Sequence, residues 1–179
     1  MCTAFILEFV FIVVGNLLTI VLYAVNRRLR KRSFYLVINM AFADLMLETV
    51  SLPIYIYYVG NSFQLWKGAW SMSLSLIDTI VAIVSSQASF ISAAFISGER
   101  FYAIYWPFKH RTLSMRAYRI VISTVWALTL LIATLWSTLY FLISWKSAMY
   151  VWMPYVLILT FTICGSNIGI WRKIGRAHV

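Results

Sequence analysis

The stretch FISGERFYAIYWPFKHR, residues 95–111, places Glu99 beside Arg100 at the end of the apolar run 72–98. An ionised side chain at the centre of a membrane span costs at least about 2.5 to 3.5 kcal/mol, so adjacent charges belong at the edge of a span. The pair therefore predicts a membrane-spanning helix that ends here, and it decides how the rest of the chain is interpreted.

The composition is that of a membrane protein. Hydrophobic residues make up 63% of the 179 positions and charged residues only 11%, whereas about a quarter of the residues in a soluble domain are charged. A run of about 20 apolar residues can cross a bilayer as a helix. Five such spans are predicted, at residues 3–26, 34–60, 72–105, 117–142 and 148–171. The predicted fold is an all-α membrane protein, a bundle of transmembrane helices joined by short loops.

The basic residues predict the orientation of the spans. Of the 15 Lys and Arg, five lie between the first two spans, five lie from the end of the third span into the fourth, and three follow the fifth. Only Lys67 and Lys146 lie in the alternate loops. By the positive-inside rule the basic loops are cytoplasmic, so we expect the N-terminus outside. This distribution accounts for the net charge of +10 without nucleic-acid binding.

Polar residues on the third span fall on one helical stripe. The stripe consists of Asp78, Ser85, Ser89 and Arg100. Their separations of 7, 4 and 11 residues are close to whole numbers of helical turns. With Asp78 at the outer face, the rise of 1.5 Å per residue carries Arg100 about 33 Å to the inner boundary. The serines are also consistent with close helix packing, which small residues favour in membranes.

Short motifs occur along these spans in an order that a known family shares. They are Gly15-Asn16 on the first span, NMAFADL (39–45) and Pro53 on the second, Trp66 in the first outer loop, Glu99-Arg100-Phe101 with Pro107 at the end of the third, and Trp126 on the fourth. Together they resemble the rhodopsin-like family of G-protein-coupled receptors, over essentially residues 3–173. The resemblance implies a seven-helix receptor, of which this chain contains the first five helices.

The resemblance implies a switch at the end of the third span. Glu99, Arg100 and Phe101 are similar to the family's Asp/Glu-Arg-Tyr motif. In that motif the arginine pairs with the acid in the resting receptor and turns toward the G protein in the active one. Phe101 in place of the usual tyrosine is a mild departure.

The resemblance also implies a sodium pocket in the middle of the membrane. Its residues would be Asp44, Ser89 and Asn16. No other cofactor or metal site is expected.

Four residues are expected to shape the packing of the helices. By the resemblance, Asn39 and Trp126 would pack the second, third and fourth helices together. Pro53 and Pro154 lie inside the second and fifth spans, where each removes a backbone hydrogen bond and is expected to kink its helix.

Further departures from the family lie on the outer side. Ser75 replaces the family's cysteine at the outer start of the third helix, and residues 143–150 contain no cysteine, so no disulfide is expected there. Ala82 occupies the position of the amine receptors' aspartate, which argues against a monoamine ligand unless Asp78 replaces that aspartate. The candidate ligand pocket consists of Asp78, Ala82, Ser86, Gln87 and Trp66.

The chain is expected to be part of a longer receptor. The motifs of the family's sixth and seventh helices do not occur in it. Residues 174–179, IGRAHV, back-translate to a common sequencing adapter and are interpreted as an artefact, with a chance polar tail as the alternative. Because receptor opening requires a sixth helix to move, we expect no agonist-dependent nucleotide exchange from the five helices alone.

The expected function is that of a plasma-membrane receptor. Its partners would be an extracellular ligand of unknown type, a heterotrimeric G protein and membrane lipids. The alternative is a small helical transporter or channel that uses Asp44, Glu48 and Asp78 as an ion path, although no inverted repeat is visible. An enzyme is not expected, because His110 and His178 are isolated and no nucleophile or metal-ligand constellation occurs.

Overall fold

The computed structural model of the protein describes residues 2–26, 33–64 and 72–177. Within these ranges the side chains of residues 2–6, 8, 141 and 177 are not described. The helices are α1 (Cys2–Val25), α2 (Phe34–Ser62), α3 (Met72–Tyr105), α4 (Pro107–Thr112), α5 (Met115–Thr138) and α6 (Trp145–Ala177). The described parts of the chain contain no strand.

The distribution of side chains is that of a transmembrane helical bundle, which confirms the predicted fold class. Four helices, α2, α3, α5 and α6, are long and apolar enough to cross a membrane, while the apolar segment found in α1 is the shorter Phe9–Val25. Large apolar side chains such as Phe11, Leu131 and Phe161 are exposed on the outside. Polar side chains are buried between the helices: Asn39, Ser85, Gln87, Ser92, Ser97 and Thr129. This arrangement suits a hydrocarbon solvent.

Helix α3 lies at the centre of the described bundle. It packs against α2, α5 and α6, and α1 packs against α2. Its buried face consists of Ser85, Gln87, Ala88, Ile91, Ser92, Ala94 and Ser97. Small residues on this face allow the neighbouring backbones to approach closely. Of the polar stripe predicted from the sequence, Ser85 is buried, whereas Arg100 is exposed.

The chain turns sharply between α3 and α5. Trp106 leaves the helical conformation, with φ −129° and ψ 63°, and Pro107 then begins α4. A proline disfavours the helical conformation in the residue before it and is well tolerated in the first turn of a new helix. Ser114 caps α5 by accepting a hydrogen bond from the Ala117 amide. The short helix α4 is thereby folded back toward the end of α3.

The connection between α5 and α6 is shorter than the sequence predicts. Residues 143–147, between the predicted fourth and fifth spans, were expected to form an outer loop, but a π-helical turn (Leu139–Ile143) continues α5, and α6 begins at Trp145. Only Ser144 is extended, with φ −170° and ψ 157°. Its hydroxyl accepts a hydrogen bond from the Ser147 amide at 3.3 Å, which is the geometry of a helix N-cap. A single residue, Ser144, which caps α6, thus replaces the predicted loop.

The two intramembrane prolines lie on the outside of the bundle. Pro53 is inside α2 and Pro154 is inside α6, and both are exposed. They therefore contribute little to the buried contacts, and kinks at these positions remain a prediction. Helix α6 continues to Ala177 and so includes residues 174–177, part of the stretch interpreted from the sequence as an artefact.

Candidate functional site

Three side chains converge on one oxygen of Glu99. The Ser33 hydroxyl donates a hydrogen bond to Glu99 Oε1 at 2.6 Å, and the Tyr118 hydroxyl donates to it at 3.0 Å. His110 Nε2 lies 2.5 Å from the same oxygen. The contact with His110 is an ion pair when the imidazole is protonated. Hydrogen bonds to an ionised carboxylate are stronger than those between neutral groups, so this cluster holds the end of α3 firmly.

The Glu99 cluster, defined as Ser33, Glu99, His110 and Tyr118, joins four parts of the fold. Ser33 precedes α2, Glu99 belongs to α3, His110 is in the last turn of α4, and Tyr118 is near the start of α5. Tyr118 is 5% exposed, and its hydroxyl lies 3.3 Å from His110 Nε2. The turn at Trp106 is what returns His110 to Glu99. The cluster therefore fixes α4 against the bundle.

Arg100 does not pair with Glu99 in this structure, which differs from the resting pair that the resemblance implies. The partner of Glu99 is His110, and among the described residues Arg100 has no hydrogen-bond or ion-pair partner. The reason is helix geometry, because consecutive residues point about 100° apart and do not face each other. Glu99 is directed into the bundle, and the Arg100 side chain is exposed.

Phe101 belongs to a second contact, between α3 and α6. Its ring stacks on Tyr105 with centroids 4.3 Å apart, and an added Cβ on Gly169 would lie 2.5 Å from its Cε2 atom. The Tyr105 hydroxyl donates to the Gly169 carbonyl oxygen at 3.1 Å. Lys173 Nζ donates to the Ile104 carbonyl oxygen at 2.8 Å and lies 4.5 Å above the Tyr105 ring. Gly169 is therefore required for the close approach of these two helices.

A buried hydrogen-bonded layer joins α2, α3 and α5. Asn39 Nδ2 donates to Ser92 Oγ at 3.0 Å, and Trp126 Nε1 donates to Asn39 Oδ1 at 2.9 Å. Asn39 is 9% exposed and Ser92 is fully buried. One amide thus uses both its donor and its acceptor to connect three helices, and the structure brings together the two residues that the sequence analysis assigned to packing.

The candidate sodium ligands are less closely associated. Asp44, Ser89 and Asn16 are each partly buried. Within the described ranges, no hydrogen bond joins Asp44 to either of the other two. Hard cations prefer oxygen ligands such as carboxylate, hydroxyl and amide oxygens. The chemistry of these three side chains therefore fits a sodium ion.

Ala82 lies between two cavities in the half of the bundle away from Glu99. A cavity of about 340 Å³ is lined by residues that include Glu48 and Asp78. A second cavity, of about 300 Å³, is lined by residues that include Ser86 and Gln87. The structure thus places four candidate ligand residues around two adjacent spaces.

Other predictions for the outer side are less fully described. Trp66, the fifth candidate ligand residue, lies outside the described residues. Ser75 is partly buried, and its carbonyl oxygen accepts a hydrogen bond from the Thr79 hydroxyl at 2.8 Å. Cys164 is a free cysteine, exposed on α6.

Comparison with known proteins identifies the family of this helical bundle. The profile of the "7 transmembrane receptor (rhodopsin family)" matches residues 15–148, which is more than half of the chain. The chain belongs to the rhodopsin family of seven-transmembrane receptors. The matched residues include the Glu99 cluster and the Asn39 layer, and the resemblance predicted from the sequence is confirmed.

Individual members of the rhodopsin family are similar to this chain over part of their length. The D(4) dopamine receptor of Mustela putorius furo is 28% identical over 125 residues, which cover 68% of this chain and 34% of that receptor. Neuromedin-U receptor 1 of Homo sapiens is 28% identical over 131 residues, or 73% and 30% of the two chains. The muscarinic acetylcholine receptor M1 of Homo sapiens is 31% identical over 101 residues, or 55% and 21%. The chain spans about a third or less of the length of the curated relatives it matches.

Several residues of this receptor site were missed by sequence reasoning. His110 was interpreted as an isolated loop residue, and Ser33, Tyr118 and Ser92 were not singled out. Ser33 offered one signal, since it immediately precedes the second span, at the same predicted depth as Glu99. No comparable signal existed for His110, because its position depends on the turn at Trp106.

The partner of Glu99 in this receptor chain can be tested with a double-mutant cycle. We expect Glu99→Gln and His110→Gln to show a coupling free energy of about 1 kcal/mol, because both side chains are partly buried and share a short contact. The measurement is the free energy of unfolding of the two single variants and the double variant in detergent micelles.

A matched cycle of Glu99→Gln with Arg100→Gln serves as the control. Its coupling should be within about 0.5 kcal/mol of zero, because Arg100 has no ion pair with Glu99 among the described residues. The reverse ranking of the two couplings would contradict the pairing seen in the structure.

Proposed function

We propose that these residues belong to a receptor that, in complete form, senses an extracellular ligand and activates a heterotrimeric G protein. In this proposal the N-terminus is extracellular and the Glu99 end of the bundle faces the cytoplasm, as the basic loops predict. The proposal is a plasma-membrane receptor rather than an enzyme. Membership of the rhodopsin family supports it.

The observation that carries the proposal is the separation of Glu99 from Arg100. Ser33, His110 and Tyr118 all contact Glu99 Oε1, so the carboxylate is held without the guanidinium of Arg100. The Arg100 side chain is exposed at the end of α3. An exposed guanidinium can donate several hydrogen bonds to the backbone carbonyls or carboxylate of an inserted protein segment. The G-protein α subunit is the partner that we propose for it.

A sodium ion is part of the proposal in the middle of the bundle. Asp44, with Ser89 and Asn16, would hold it through oxygen ligands. A bound cation there would neutralise the Asp44 carboxylate within the membrane, where an isolated charge is costly.

The lipid contacts of the proposed receptor involve α5. Arg116 and Arg119 are three residues apart, are both exposed and line one surface depression with Ser123. Basic side chains at the cytoplasmic boundary are attracted to anionic lipid head groups. This part of the proposal concerns membrane positioning and not signalling.

The proposed switch can be tested in the complete receptor that contains these residues. Membranes containing that receptor and a G protein, with each class of α subunit tried in turn, should show basal GDP–GTP exchange above membranes without the receptor. We expect Arg100→Ala to reduce the exchange rate at least about tenfold, because it removes the group that meets the α subunit.

Arg116→Ala is the matched control, since Arg116 is also an exposed arginine but lies on the proposed lipid-facing side. Its exchange rate should be close to that of the unaltered receptor. Receptor-dependent exchange that survives Arg100→Ala, or the absence of exchange with every class of α subunit, would contradict the proposed function.

A further inference from the structure

A cavity of about 520 Å³ lies beside Glu99, at the opposite end of α3 from the cavities around Ala82. Its wall on α3 includes Gly98, and α5 and α6 contribute Val121 and Leu159. Sites for small molecules in proteins usually have volumes of about 300 to 1,000 Å³ and mostly apolar walls. The cavity therefore has the size and the lining of a binding site.

The space beside Gly98 is not filled by neighbouring side chains. A Cβ added to Gly98 would meet no atom within 4 Å. Helices α5 and α6 each pack more extensively against α3 than against each other. The cavity thus lies in a gap between these two helices, with α3 behind it. Because its lining is largely apolar, it is a poor site for ordered water.

One carboxylate oxygen of Glu99 is available to a molecule in this cavity. The contacts with Ser33, His110 and Tyr118 all involve Oε1, whereas Oε2 accepts no hydrogen bond from the described residues. Oε2 is also accessible, because it is not one of the polar side-chain atoms that are both enclosed and unpaired. Among the described residues, those atoms belong to Ser51, Asp78, Gln87, Thr129 and Tyr155. Since Glu99 lines the cavity, an occupant with a donor can reach Oε2.

The other polar groups of the lining favour a hydroxyl at that end of the occupant. The Thr162 hydroxyl is already used, since it donates to the Ile158 carbonyl oxygen at 2.8 Å. The Tyr102 hydroxyl has no hydrogen-bond partner among the described residues. Tyr102 follows Glu99 by three residues, so the two lie on one face of α3. A hydroxyl can donate to a carboxylate oxygen and accept from a phenol at the same time.

The charges around the cavity favour a neutral occupant. Among the described residues that line it, Glu99 is the only charged one, and it would repel an anion. A cation at Oε2 would lie close to His110, whose Nε2 atom is 2.5 Å from Oε1, and the flanking Lys109 and Arg111 add further positive charge. Moving a charged group into apolar surroundings is also costly.

We propose that this cavity binds a neutral, largely apolar molecule that carries a hydroxyl group at one end. The hydroxyl donates to Glu99 Oε2, and the apolar body lies between α3, α5 and α6. This inference goes beyond the proposed function, because the site is at the proposed cytoplasmic end of the bundle and not at the extracellular one. It also differs from filling by a lipid acyl chain, which has no donor for Oε2.

Three rigid probes of similar size test the chemistry of the occupant. They are para-phenylphenol, which has a hydroxyl, biphenyl, which has no polar group, and para-phenylbenzylamine, which is a cation. Equilibrium dialysis measures their binding to the purified 179-residue chain in lipid nanodiscs, with partition into empty nanodiscs as the reference. The phenol should bind at least about tenfold more tightly than biphenyl or the amine, as expected for one hydrogen bond to a charged group.

The decisive variant is Gly98→Leu, whose side chain would occupy the cavity. It should weaken binding of the phenol at least about tenfold. The melting temperature of the empty chain should stay the same or rise, because the added Cβ meets nothing and leucine favours the helix. Gly165→Leu is the matched control, since Gly165 also has no atom within 4 Å of an added Cβ but does not line the cavity. Its binding of the phenol should be unchanged.

A second variant, Glu99→Gln, tests the polar contact. It replaces a charged acceptor by a neutral amide, so the preference for the phenol over biphenyl should fall at least about threefold. Binding of biphenyl itself should not change. Gly98→Leu leaves the side chains of the Glu99 cluster unaltered, so it decides the question even where Glu99→Gln lowers stability.

Four results would overturn the inference. The phenol could show no binding above partition into empty nanodiscs, or Gly98→Leu could leave its binding intact. Biphenyl that binds as tightly as the phenol would indicate a site for lipid chains, and tighter binding of the amine would indicate a cation site. None of these measurements involves a G protein, so the inference can fail while receptor-dependent exchange succeeds, and the reverse also holds.

Discussion

Replacing Asn39 by leucine should lower the free energy of unfolding by about 1 to 3 kcal/mol. Leucine has the same number of side-chain heavy atoms and a similar branched outline but leaves Trp126 Nε1 and Ser92 Oγ without their partners in a buried layer. An unsatisfied buried polar group costs about 1 to 3 kcal/mol, although hydrogen bonds between membrane helices are often worth less, about 0.6 kcal/mol on average. Reversible unfolding in mixed micelles, followed by circular dichroism, measures the change.

Asn167→Leu is the control for this substitution, because Asn167 is exposed on α6. There leucine removes a polar group from the outside of the bundle, and stability should stay the same or rise. Adding Trp126→Phe to Asn39→Leu should restore part of the loss, since it removes one orphaned donor. Equal stability of the Asn39 variant and the unaltered chain would contradict the role of the layer.

Replacing Gly169 by valine should also lower the free energy of unfolding by about 1 to 3 kcal/mol, the usual cost of overpacking a close contact. Even the first added carbon would lie 2.5 Å from Phe101 Cε2. The Phe101 ring cannot easily move aside, because it stacks on Tyr105 and also meets Trp106 at a centroid distance of 6.3 Å. The same unfolding experiment measures the effect.

Gly165 provides a matched control one helical turn earlier on α6. An added Cβ there meets nothing within 4 Å, so Gly165→Val should leave stability unchanged or raise it slightly. Phe101→Ala should relieve most of the additional loss caused by Gly169→Val, because the clash is with that ring. Equal effects of valine at both glycines would show that helix propensity, and not the α3–α6 contact, determines the change.

The sequence was most informative about the long apolar helices. The predicted third span and α3 have the same bounds, 72–105, because a long apolar run has few alternatives to a membrane helix. It was less successful where a short polar segment could be either loop or helix. Residues 145–150 are helical because Ser144 supplies a cap within a single residue, which hydropathy does not reveal.

The candidate site was predictable only in part. Short motifs identified Glu99, Arg100, Asn39 and Trp126, since a motif is a local property of the chain. The partner of Glu99 was not predictable, because His110 follows it by 11 positions and reaches it only through the bend at Trp106. The sequence also could not predict that the Gln87 amide has no hydrogen-bond partner among the described residues, because that depends on which side chains surround it in the folded bundle.

The sequence by itself therefore determined that this chain is a helical membrane protein of the rhodopsin family, since hydropathy, charge placement and the order of motifs are properties of the linear sequence. The tertiary structure alone decided that Glu99 pairs with His110 and that Gly169 must accommodate Phe101. It also decided that Gln87 lies unsatisfied beside an uncharged cavity. The physical reason is that hydrogen bonds and steric contacts act over about 3 to 4 Å, so they depend on which helices meet and not on the order of residues within them.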